Sequence, residues 1–156
     1  MPVTWSTFSS AAHRYAVQYP ADWKGTPATQ EWPADGFSFQ DDPAVDKWAR
    51  PETNTTWVLF IVSTQPLKAG ETEAQRIARL DADNGTVCKL SNRRAITVDG
   101  VAGRREDGKC FGTDYISEAA VIHDGRSYLI FPLSAGTLSA TTLATFDRFL
   151  ASFKFN

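Results

Sequence analysis

Apolar and polar positions alternate through residues 14–25, RYAVQYPADWKG, where Tyr15, Val17 and Tyr19 are separated by Ala16 and Gln18. A period of two is that of a half-buried strand. Pro20 has no amide to donate, so the strand should stop there. Residues 22–25 then turn the chain and fold Trp23 back onto the core. GFSFQ, with Phe37 and Phe39 two apart, reads as a second short strand. Residues 41–56 read as a polar loop carrying Pro43, Pro51, Trp48 and three aspartates, Asp41, Asp42 and Asp46. Loops of that length are uncommon in a compact domain and are where function tends to sit.

From Thr56 to Gln65 the apolar residues occupy both parities, which predicts a central strand buried on both faces and ended by Pro66. A helix should follow. Thr72 and Gln75 have capping-box spacing, Ala74, Ile77 and Ala78 form a narrow stripe, and Asn84-Gly85 is a stop signal. Asp99-Gly100 and Asp124-Gly125 each predict a two-residue hairpin turn. Across the second turn His123 faces Arg126, Val121 faces Tyr128 and Ala119 faces Ile130. Both parities are again apolar, placing these two strands in the middle of a covered sheet. A last helix is signalled by Ser139 as N-cap, by a Leu138–Leu143 staple, and by Leu143, Phe146, Phe149, Leu150 and Phe153 along one face. The expected architecture is α+β: one domain over 1–156, with a central antiparallel sheet and helices packed on it.

Composition narrows the function classes. Sixteen Lys and Arg against eighteen Asp and Glu leave a formal charge of -2, giving no electrostatic reason to expect a nucleic acid or an anionic membrane as partner. The one basic cluster, Arg93-Arg94 with Arg104-Arg105, is interrupted by Glu106 and Asp107 and reads as a solvated hairpin face. The longest apolar run, WVLFIV from Trp57 to Val62, is too short to cross a bilayer. No signal-peptide pattern opens the sequence. Either the protein is cytosolic, or Met1 stands where a leader was removed.

No motif identifies a reaction. There is no Gly-x-Ser-x-Gly elbow and no phosphate-cradling loop, since DGVAGRREDGKCFG lacks Gly-Lys-Ser/Thr. Glu106-Asp107 reads as a source of surface ion pairs rather than a glycosidase dyad. His13 and His123 read as surface histidines. Asp41, Asp42 and Asp46 lack the spacing of a calcium loop and read as loop solvation. No cofactor is expected. Trp32, Asp41, Asp42, Asp46 and Trp48 together make the preferred partner-binding surface, because an aromatic on a polar loop can anchor a protein partner. The competing reading has both tryptophans folding back over an open sheet edge.

The opening Tyr-x-Val-x-Tyr-Pro-x-x-Trp-Lys, the early GFSFQ, the hairpin IHDGRSYLIFPLSA and the closing FDRFLASFKF resemble, in that order, the PsbP-like or Mog1/PsbP-like proteins. The match spans nearly the whole chain and consists of packing motifs. It implies a central antiparallel sheet sandwiched between helices (an α/β/α sandwich) and a mostly non-enzymatic family. Its generic bacterial branch is the better fit, with many exported members. The expected function is therefore a non-catalytic accessory protein, secreted or lipid-anchored, with an unknown protein partner. The alternative is a binder of a small ligand or divalent metal.

Cys88 and Cys110 are the only cysteines. Counted back from Val98 opposite Val101, an ideal hairpin sets Cys88 against Phe111 and Lys89 against Cys110, so the two sulfurs would lie on opposite faces. A disulfide needs a bulge, for which Asn92, Gly103 and Gly108 offer places. Exported relatives would permit the bond. Two buried free thiols remain the other reading.

Overall fold

The computed structural model describes residues 3–36, 42–52 and 56–156. In chain order it contains β1 (Trp5–Ser10), β2 (Tyr15–Pro20), β3 (Lys24–Thr26), a 3-10 turn at Asp42–Ala44, β4 (Val45–Ala49), β5 (Val58–Pro66), α1 (Glu73–Val87), β6 (Cys88–Val98), β7 (Val101–Cys110), β8 (Asp114–His123), β9 (Arg126–Ser134), α2 (Ala140–Ala151) and β10 (Lys154–Phe155). The seven-stranded sheet runs β3-β4-β5-β9-β8-β7-β6, and a separate three-stranded sheet runs β1-β2-β10. Every strand pairing is antiparallel among the described residues. The fold class is α+β.

The hairpin turns follow from their residues. Asp99-Gly100 and Asp124-Gly125 all have positive φ, between 48° and 77°, the geometry of a two-residue turn that matches strand twist. His123 pairs with Arg126, Val121 with Tyr128 and Ala119 with Ile130, as the alternation predicts. β5 lies between β4 and β9, inside the large sheet.

Strand alternation divides the core in two. Val58, Phe60, Val62, Ala119, Val121, Tyr128 and Ile130 join Phe146 and Phe149 of α2 and Tyr15 and Val17 of β2 in one buried cluster. Ile61, Ala120, Leu129, Phe131 and Leu133, of the other parity, join Leu80 of α1 and the two cysteines in a second. Phe60, Phe131, Phe146 and Phe149 are each fully buried, and burying such a side chain stabilises by roughly 1.5–3 kcal/mol.

The structure departs from the sequence expectations in several places. The loop expected over 41–56 contains β4, with Trp48 buried at its centre. Its pattern is hard to read because the strand is short and alternates Asp46 and Trp48 on one face with Val45 and Lys47 on the other. β1 was not anticipated: its sequence is mostly polar, and it is held by its ladder to β2. α1 runs past Asn84-Gly85 to Val87. Asn84 is buried and donates to Glu118 Oε1 at 2.9 Å, so the sheet holds the last turn in place. The second helix ends at Ala151, and Lys154–Phe155 pairs with β2 instead of extending it. The strand expected at Phe37 and Phe39 lies outside the described residues.

Candidate binding cleft

The hairpin of β6 and β7 begins at Asp99-Gly100 in ideal register and slips between Ser91 and Arg94. Asn92 takes a positive φ of 55°, a conformation asparagine tolerates better than most residues. The slip sets Cys88 directly opposite Cys110, and the two form a disulfide. Strand alternation on the turn side of the slip sorts the arginine doublets. Arg94 and Arg105 pair across the strands and face the α2 side, whereas Arg93 and Arg104 reach the α1 side.

On the α1 side, Arg93 pairs with Asp81 at 2.9 Å and with Glu106 at 3.1 Å, and Arg104 also pairs with Asp81. Glu106 stands opposite Glu118 on β8. Burial pushes the Glu118 carboxyl up to about 7, against the opposing pull of the Asn84 hydrogen bond and the Arg104 charge.

On the α2 side an open cleft of about 570 Å³ lies between the N-terminal part of α2 and strands β6–β8. Ser91, Asp107 and Ser117 lie in one row across the three strands, and Lys109 and Tyr115 in the next row but one. Arg94 donates to both oxygens of Asp107, at 3.0 and 3.2 Å. Ser117 Oγ donates to Asp107 Oδ1 at 2.6 Å and accepts from Arg105 Nε at 2.9 Å. Arg105 also reaches Asp147 of α2 at 2.7 Å and stacks over Phe146. Burial raises the Asp107 pKa, but hydrogen bonds from Arg94, Ser117 and Asn92 outweigh it and leave the carboxyl below its usual value. Lys109 Nζ lies 4.7 Å from the centre of the Tyr115 ring, and Leu138 and Leu143 complete an apolar wall. No histidine lines the cleft among the described residues. Charged groups that hold one another beside an apolar wall can recognise a surface.

The residues singled out from sequence lie elsewhere. Trp48 is 2% exposed and packs against Phe8, Tyr19 and Phe149. Asp46 is also buried and accepts from the Tyr15 hydroxyl and from the Ala28 amide, both at 2.7 Å. Burial, reinforced by Asp46, holds the Tyr15 phenol well above its usual pKa, so it remains the donor. Trp32 is buried on the opposite face of β5, beside Ser63 and Gln65. The two tryptophans are thus inside, on different faces, and share no surface. Asp42 opens the 3-10 turn, while its side chain and all of Asp41 lie outside the described residues. His13, expected at the surface, is fully buried with Nε2 at 2.9 Å from the Ala44 carbonyl. His123 stacks on Phe155. Among the described residues no three His, Cys, Asp or Glu side chains are grouped to hold a metal.

Sequence reasoning missed the cleft because it took the arginine doublets as one solvated patch. Same-parity charges on facing strands, followed later by an amphipathic helix, were the signal available.

No family model and no curated protein matches the chain. Solved structures do. The cyanobacterial PsbP of Synechocystis is 14% identical with a TM-score of 0.65, over 100% of this chain and 95% of that one. LpqN of Mycobacterium tuberculosis, described as involved in cell envelope biogenesis, is 10% identical with a TM-score of 0.58, over 100% and 92%. A Pseudomonas aeruginosa protein of unknown function is 12% identical with a TM-score of 0.50, over 92% and 88%. At these identities the likeness is one of fold, and it agrees with the PsbP-like resemblance of the sequence.

Proposed function

We propose that this chain, which carries the PsbP-like fold, is a non-catalytic accessory protein that docks a protein partner in the cleft between α2 and β6–β8. The observation that carries the reading is the cleft's lining: cross-braced Arg94, Arg105, Asp107 and Ser117 beside Tyr115, Leu138 and Leu143. Such a surface suits a segment presenting an acidic residue next to an apolar one. The Cys88–Cys110 disulfide supports an oxidising compartment, so we place the protein outside the cytoplasm, secreted or lipid-anchored. No helix among the described residues is long and apolar enough to cross a membrane. We read the two core clusters as two covers of the large sheet, α1 on one face and α2 with the small sheet on the other, which gives the sandwich its layers.

A photo-crosslinking residue in place of Leu138 tests the site in intact cells. A discrete protein adduct is expected, lost when Lys109→Glu reverses the charge beside it. Ile77 on α1, exposed and outside the cleft, is the control position. Equal adducts from Ile77, or none from Leu138, would count against docking in this cleft. A volume of about 570 Å³ also lies in the range of small-molecule sites, so a small ligand is the second reading. Native mass spectrometry of the protein purified from its own cells would reveal such a ligand as added mass.

A further inference from the structure

Between α1, β5 and β9 lies a cation that no described carboxylate contacts, although Glu71 and Asp83 act on it through their charge. Arg76 is 1% exposed on the sheet-facing side of α1. Its Nε donates to Ser127 Oγ at 2.9 Å and one terminal nitrogen donates to Gln65 Oε1 at 2.6 Å. Gln65 is held in turn by the carbonyls of the 31–36 segment, donating to Pro33 at 2.8 Å, Ala34 at 3.2 Å and Gly36. Glu71, whose charge acts on Arg76 without touching it, is engaged by Arg79 through two hydrogen bonds of 2.8 Å. Burial, followed by the charge of Arg79, lowers the Arg76 pKa to about 10, so the group is still cationic at neutral pH. An isolated buried charge is costly unless it is paired and hydrogen-bonded.

The other terminal nitrogen of Arg76 is buried and has no protein acceptor. Arg76 lines a void of about 10 Å³ together with Trp32, Ser63, Gln65, Ser127 and Leu129. That is the room of about one water-sized group, so a larger ion enters as the lining side chains give way. Trp32 Nε1 is a second buried donor without a protein acceptor, on a residue lining the same void. We propose that the void binds one monatomic anion, a halide such as chloride, with Arg76 as counter-charge and Trp32 and Ser63 as neutral donors. The two orphan groups at the void, on Arg76 and Trp32, are both donors, and the Gln65 Oε1 and carbonyl oxygens each already accept one bond, from Arg76 and Ser127. A halide only accepts, and it would set a negative charge in direct contact with the guanidinium. Once bound, it joins the 31–36 segment to α1 and to the sheet.

The test is thermal unfolding at constant ionic strength while sodium gluconate is exchanged for sodium bromide, together with anomalous diffraction from bromide-soaked crystals. A saturable rise in Tm with bromide and an anomalous peak beside Arg76 are expected, because a ligand that binds only the folded state stabilises it by mass action. Trp32→Phe keeps the ring and removes one donor, so the half-saturating bromide concentration should rise roughly tenfold. Arg76→Met should abolish the bromide dependence; if it does not fold, Trp32→Phe still decides. A Tm indifferent to the anion, with only water density in the void, overturns the proposal.

Discussion

Glu118 shows how far one residue's chemistry is set by its position. It faces Glu106 across the β7–β8 ladder and is covered by α1, where Asn84 is its hydrogen-bond donor. Burial raises its pKa to about 7, so near neutrality the folded chain binds a proton that the unfolded chain releases near the ordinary glutamate value of 4.5. The stability this supplies is fully present below pH 4.5 and is lost as pH rises to about 7, a change of roughly 3 kcal/mol. Urea unfolding across that window should therefore show stability falling with pH. In Glu118→Gln the amide keeps an acceptor for Asn84 and cannot ionise, so that slope should flatten and the variant should exceed the wild type at pH 8. An unchanged pH profile in the variant would show that another group titrates.

At the level of elements, the β6–β7 hairpin carries both the disulfide and the cleft. Its single slip at Asn92 moves Cys88 opposite Cys110 and leaves Arg94 and Arg105 paired on the α2 side. Gly108 is needed at this crossing, because a Cβ there would lie 1.9 Å from the Lys89 carbonyl oxygen. The bond closes a segment with a sequence separation of 22, for which loop-closure entropy gives about 3 kcal/mol. In a chain of this size, reduction should lower Tm by roughly 6–12 °C. Calorimetry with and without reductant, with mass analysis of thiol-blocked peptides, measures this. Free thiols in the native protein, or a Tm indifferent to reductant, would remove the bond as a structural tie and weaken the extracytoplasmic placement.

Across the whole molecule, Trp48 couples the layers. It belongs to β4 of the large sheet, yet its ring meets Phe8 of β1, Tyr19 of β2 and Phe149 of α2 at centroid distances of 5.2–5.8 Å. Trp48→Ala should cost about 3–5 kcal/mol in urea unfolding, as for other buried aromatics. A variant of wild-type stability that had lost only partner binding would instead restore Trp48 as a surface anchor.

The sequence by itself determined what depends on neighbours along the chain. Asp-Gly turns set two hairpins, period-two alternation marked β2, apolar residues on both parities marked β5, β8 and β9, and Thr72 and Ser139 capped the two helices where expected. Those signals are local: a turn needs particular φ angles, and a capped amphipathic helix needs its face and its first amides satisfied. Only the tertiary structure decided the rest. Whether Asn84-Gly85 ended a helix depended on Glu118, thirty-four residues further on. Whether Asp46 and Trp48 met water depended on Tyr15 and Phe149, and whether the two cysteines met depended on a one-residue slip. Burial and charge pairing are properties of what the chain brings together across space, so the cleft and the Arg76 void became visible only in the fold.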